Sequence, residues 1–190
     1  MNDAPCIELQ RVEAGYEQPV VGPLSFALGA GEIVALWGPN GCGKTTAMNA
    51  IGGSARVFSG TIRKRPGLRI SHQQQNPLSL RDIPLSGREL LALTGGDAAA
   101  LPSSLQPLLD RRLSELSGGQ LQLLQVWACL TAPVDVALLD EPTNNVDAEG
   151  IALLEQVIDR ERRRRAILLV SHDRRFVEAL GARVVEVGAP

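Results

Sequence analysis

Eight consecutive residues, Gly38-Pro39-Asn40-Gly41-Cys42-Gly43-Lys44-Thr45, carry the densest chemical signal in the chain. They fit the pattern G-x-x-x-x-G-K-[ST], in which glycines let the backbone curl until successive N–H groups point inward at phosphate oxygens. Lys44 adds a point charge and Thr45 a hydroxyl suited to Mg²⁺. A helix starting near Gly43 would turn its partly positive end on the same anion. The chemistry is the cradling of a triphosphate.

A second cluster lies far along the chain, where the apolar run Val134 to Leu139 delivers Asp140 and Glu141 together. At the end of a buried strand the two acids suit different work: Asp140 in the shell of a Mg²⁺ ion, and Glu141 polarising water for attack on a γ-phosphate. Ser117-Gly118-Gly119-Gln120 precedes a long apolar stretch, so a serine and two glycines open a helix whose N-terminus is a second candidate anion site. His172 ends another apolar run, at the kind of strand end where open α/β sheets place ligands, and could sense the γ-phosphate. Gln73, Gln74 and Gln75 form either a polar loop or a strand end reaching the metal or the attacking water. Tyr16, the single tyrosine, is either ordinary surface or a ring to stack on a base. Cys42 is either an inert small residue or a reactive thiol, its thiolate favoured by loop donors.

Positioning such groups requires a βα rhythm, and the chain supplies one. Ile7 to Val12 and Pro23 to Leu28 read as an antiparallel flank, Ile33 to Trp37 as the strand feeding the glycine-rich loop, and Thr46 to Ile51 as the helix after it. Ser59 to Arg63 and Leu68 to Ser71 are short strands around a turn at Pro66-Gly67. From 77 to 132 the pattern turns leucine-rich and helical, with segments at Arg88 to Leu93, Leu105 to Leu109 and Leu121 to Leu130. The remainder alternates helix 148–163, strand 166–171, helix 173–180 and strand 183–187. The expected fold is therefore α/β: a phosphate-loop core with a mainly parallel sheet over 1–76 and 133–190, an N-terminal antiparallel flank, and a small helical subdomain over about 77–132.

At 190 residues and 44% hydrophobic the chain suits a single domain. A net charge of -2 gives no global attraction to nucleic acid. The run Arg162 to Arg165 closes a predicted helix, where positive charge is favoured, and reads as a solvated helix end. Three cysteines without C-x-x-C spacing suggest neither disulfides nor zinc, and fit a reducing cytosol. No signal peptide or membrane-spanning run is expected, so membrane contact would come through a partner.

Along essentially its whole length the chain resembles the ATP-binding cassette (ABC) ATPases. Gly38 to Thr45 matches the Walker A motif, Leu116 to Gln120 is a complete LSGGQ signature, and Val136 to Glu141 matches Walker B with its catalytic glutamate. Asn144-Asn145-Val146-Asp147 is similar to the D-loop, His172 falls on the switch histidine, Tyr16 on the adenine-stacking aromatic, and Gln73 on the Q-loop glutamine, with Gln74 a register alternative. The resemblance implies ATP and Mg²⁺ as cofactors, with Thr45, Gln73 and Asp140 around the metal. Residues 38–46, Tyr16, Ser117 to Gln120 and Asp147 would lie around the nucleotide, and Glu141, His172 and Gln73 would be catalytic. It also implies a sandwich of two cassettes, here a homodimer, and a transmembrane permease holding the protein on the inner face of the cell membrane. Residues 76–82 and 141–147 look most like zinc or manganese importers. A small haem-type exporter ATPase or a soluble, non-transport ABC ATPase is the alternative. One departure stands out: Leu123 and Ala128 occupy positions where the family usually has arginine.

Overall fold

The computed structural model describes residues 4–74 and 83–188. Two sheets share the core. The smaller is antiparallel, in the order β2-β1-β4, with β1 at Ile7–Gly15, β2 at Pro19–Leu28 and β4 at Arg56–Lys64. The larger holds β3 (Ile33–Trp37), β5 (Ile70–Gln73), β6 (Val136–Asp140), β7 (Ala166–Val170) and β8 (Arg183–Glu186), in the order β5-β6-β7-β3-β8, with all neighbouring pairs parallel. Strand β3 is thus flanked by β7 and β8, and its C-terminal end opens into the glycine-rich loop.

Apolar runs rather than alternating patterns build the parallel sheet because both of its faces are covered. Strand alternation divides the side chains cleanly. Val34, Leu36, Val136, Leu138, Leu168 and Val170 join Met48 and Ile51 of α1 (Lys44–Gly52) and the inner face of the antiparallel sheet. Ile33, Ala35, Ala137, Leu139, Ile167 and Leu169 face the other way, toward α3 (Gly118–Thr131), α4 (Ala148–Glu161) and α5 (Arg174–Ala179). Every functional side chain on this sheet therefore has its destination set by whether its position is odd or even within its strand.

The helical segment contains α2 (Gly87–Thr94), three short 3₁₀ turns, and α3. The expected helix at Leu105 to Leu109 is instead a 3₁₀ turn over Gln106–Leu108, with Pro107 in its first turn. Proline lacks the N–H an interior helical position needs, and the leucines around it are buried all the same. All ten residues from Leu121 to Leu130 are buried, so α3 is a central strut rather than an amphipathic surface helix. The helix is closely packed at both positions where arginine was expected: Leu123 Cδ1 lies 3.3 Å from where a Cβ on Gly150 would stand, and the Ala128 Cα 3.2 Å from the same point on Gly96.

The arginine run is not one patch. Arg162 donates to the Leu180 carbonyl, whereas Arg165 is buried and pairs with Glu161 at 2.9 Å. The expected boundary at 76–77 and the 76–82 segment likened to metal importers lie outside the described residues. Among the described residues, no helix is long and apolar enough to cross a membrane.

Candidate active site

A cleft of about 420 Å³ opens where β3, β6 and β7 end, lined by Val20, Asn40, Gly41, Gly43, Lys44, Thr45, Thr46, Glu141, Asn144, Val170 and His172. The loop that forms its floor depends on glycine at Gly43, the residue capping α1. Its φ is +92°, and an added Cβ would stand 2.6 Å from the Val21 Cβ of β2. Only glycine tolerates that backbone angle together with that proximity. Lys44, 7% exposed, folds over the loop, its Nζ donating to the carbonyls of Gly38 at 2.8 Å and Pro39 at 2.9 Å. Three loop members do different work. Gly38 stands against the Val187 carbonyl, Pro39 accepts from the Cys42 N–H, and Asn40 reaches the cleft. Cys42 itself is buried, its Sγ turned toward Gly38, which favours the inert reading of this thiol.

Asp140 and Thr45 meet across the loop: the Thr45 hydroxyl donates to Asp140 Oδ1 at 3.2 Å, while Asp140 Oδ2 is buried and has no partner. Burial pushes the Asp140 carboxyl up to about 6. The Thr45 hydrogen bond lowers it, the Glu141 charge raises it further, and Lys44 lowers it. An orphaned carboxylate oxygen beside a hydroxyl is a pair of hard oxygen donors, the chemistry that suits Mg²⁺.

Glu141 stands one residue beyond β6 with φ +50°, a left-handed conformation that is rare for a residue of its kind. Its N–H donates to the Val170 carbonyl, and its Oε2 takes His172 Nδ1 at 2.8 Å and the His172 N–H at 3.3 Å. The glutamate side chain is 8% exposed and the histidine side chain 62%. A half-open imidazole thus holds a nearly buried carboxylate at the mouth of the cleft.

The remaining sequence-predicted residues divide. Tyr16, between β1 and β2, is 55% exposed, and its hydroxyl accepts from Asn49 Nδ2 of α1 at 2.8 Å. The ring is tethered beside the phosphate loop with surface to spare, but it does not line the cleft. Ser117 caps α3 in a capping box, accepting from the Gln120 N–H while Gln120 Oε1 accepts from the Ser117 N–H. Gly118 and Gly119 continue that first turn, and none of the four lines the cleft. The phosphate loop and the signature turn of one molecule therefore do not share this cleft. Asp147 caps α4, accepting from the Gly150 N–H at 2.8 Å.

Gln73 is not brought to the cleft. It pairs with Leu139 and shares the face of Ser71, whose hydroxyl donates to the Cys129 carbonyl of α3; Asp140 and Thr45 meet on the opposite face. Its Nε2 donates to the Gln74 carbonyl, and the residue lines a separate cavity with Leu90, Gln125 and Cys129. Gln74 is exposed just past the strand, and Gln75 lies outside the described residues. Sequence reasoning missed Val20 and Asn49, which carry no signal of their own, whereas Asn144, the first residue of the stretch likened to the D-loop, lines the cleft.

Residues 21–144 match the family model described as ABC transporter. The chain belongs to that family. It is an ABC ATP-binding subunit and an ATPase, with the mixed α/β cassette fold. It is similar to the zinc import ATP-binding protein ZnuC of Paracoccus denitrificans, at 37% identity over 92% of this chain and 72% of that one. The protein of the same name from Marinobacter nauticus is 33% identical over 95% of this chain and 74% of its own length. Among solved structures, an ATP-binding subunit of an ABC transporter superposes with a TM-score of 0.79 at 21% identity, covering 96% of this chain and 86% of that one. The archaeal recycling factor aABCE1, solved with the ribosomal stalk protein aP1, gives a TM-score of 0.84 at 23% identity, over 98% of this chain and 37% of its own. These two structures support the fold alone.

Proposed function

We propose that this chain energises a metal-ion importer, with zinc as the cargo, by hydrolysing ATP in a two-cassette sandwich. The cargo assignment is carried by one observation: relatives named for zinc import are 33–37% identical over nearly the full chain. A permease partner would hold the protein on the inner face of the membrane. A second copy would set its Ser117-Gly118-Gly119-Gln120 turn against the phosphate loop of the first, which explains why one chain keeps the two apart.

In this reading Gly38 to Thr46 bind the phosphates, Lys44 exchanging its two loop carbonyls for phosphate oxygens. Thr45 and Asp140 would hold Mg²⁺, which supplies charge neutralisation at the phosphates when bound. Glu141 accepts the proton of the attacking water, and His172 holds the carboxylate in place for that transfer. Tyr16 offers its exposed ring to the base, and Asp147 keeps the start of α4 in register with the loop that carries Glu141.

The test is a reconstituted complex of this chain with its permease in proteoliposomes. Glu141→Gln should keep Mg-ATP binding while hydrolysis falls by about 100-fold or more, because an amide cannot take the proton. Zinc uptake should require ATP and vanish in the same variant. Wild-type hydrolysis by Glu141→Gln would remove Glu141 as the base; hydrolysis that is never accompanied by zinc movement would remove the cargo.

A further inference from the structure

The first turns of α3 touch the loop after β6 at two points. At Gly119 a Cβ would stand 2.4 Å from the Asn145 carbonyl oxygen, so only glycine permits the approach. One turn further on, the buried side chain of Gln122 donates its Nε2 to the carbonyl oxygen of Glu141 at 3.1 Å. That same peptide carries the left-handed φ of +50° at Glu141, and Asn145 is left-handed too at +60°. A strained conformation persists where surrounding contacts over-determine it. Here the Glu141 N–H is held by Val170, its carboxylate by His172 and its carbonyl by Gln122 and by the Asn144 N–H.

We infer that Gln122 is a positioning residue: it fixes the Glu141 peptide and ties the signature helix to the general base of the same chain. The inference rests on the two-cassette reading and adds a direction to it. Ser117 to Gln120 of one copy meet the nucleotide of the other, whereas Glu141 works at its own phosphate loop. A displacement of α3 imposed at one site is thereby delivered, through a single buried hydrogen bond, to the base of the second. The neighbouring Gln125 is equally buried on the same helix, but its Nε2 has no partner, so it supplies an internal control.

The experiment compares steady-state ATP hydrolysis of the wild type, Gln122→Met, Gln122→Glu and Gln125→Met. Mg-ATP affinity and thermal unfolding are recorded for each. Gln122→Met keeps length without the donor. Gln122→Glu keeps the shape of the side chain and replaces the donating amide by a carboxyl that, when ionised, cannot donate, so it stands in should the first variant fold poorly, with kcat compared at pH 7 and 9 to hold the carboxyl ionised. Both are expected to lose about tenfold or more in kcat, since small misplacements of a reacting group cost that much, with KM and Mg-ATP affinity within about twofold of wild type. Gln125→Met should retain wild-type kcat. Wild-type kcat in either folded Gln122 variant, or an equal loss in Gln125→Met, overturns the assignment. Light scattering with Mg-ATP reads the assembly separately: a chain that stays monomeric would overturn the two-cassette reading whatever kcat the Gln122 variants show, so the two failures are distinguishable.

Discussion

Asp140→Asn should make this protein more stable and inactive at once. The folded chain holds the Asp140 carboxyl at about 6 against an ordinary 3.8, chiefly because burial disfavours the charged form. With the folded pKa above the unfolded one, the native state binds this proton more tightly. The penalty is absent below pH ~4, grows as pH rises through the interval, and is complete above pH ~6. A rise from 3.8 to about 6 corresponds to about 3 kcal/mol. Asparagine carries no charge to desolvate, and its amide oxygen can still accept from Thr45. In buffer with EDTA and no nucleotide, urea unfolding followed through Trp37 and Trp127 should place the variant's midpoint roughly 1–2 M higher at pH 8. The gap should close below pH ~4, and Mg-ATP hydrolysis should be lost. A variant no more stable than wild type at pH 8, or a gap that ignores pH, would refute the argument that buried charge is being held in readiness for a cation.

Two further outcomes follow from the site. Light scattering on Glu141→Gln with Mg-ATP should report a dimer, and adding Ser117→Arg should return it to monomer by placing bulk and charge at the capped turn of α3; a dimer surviving both changes would count against the sandwich. Maleimide applied to the folded protein should leave Cys42 unlabelled, because its Sγ is packed against Gly38. Rapid Cys42 labelling seen by mass spectrometry, with activity lost in step, would restore the reactive reading of that thiol.

What could be read from the sequence was whatever is contiguous. The phosphate loop, the acid pair at the end of β6 and the capped turn of α3 each carry their chemistry within a few residues, so spacing alone identified them. Gln73 shows where this stops. Three glutamines in a row are locally equivalent, and only the pairing of β5 with β6 decides which face each one takes. Pairing is a tertiary property, so a one-residue error of phase moves a side chain to the other side of the sheet. Strand β4 makes the same point: Ser59 to Arg63 is legible as a strand, but not its partnership with β1 rather than with the parallel sheet. The role of Gln122 was invisible for a different reason, since a glutamine inside a greasy helix reads as an exception until the strained peptide it supports is seen.

The contact of Gly43 with Val21, together with the Asn49 bond to Tyr16, fastens the antiparallel sheet to α1 at both ends of the helix's first two turns. The span between the aromatic ring and the glycine-rich loop is then a fixed gauge, set by the fold and not by the guest. A caliper of constant opening measures length. On the proposed reading, with the base end at Tyr16, such a gauge would tell a nucleotide from one a phosphate shorter by reach before any charge is counted.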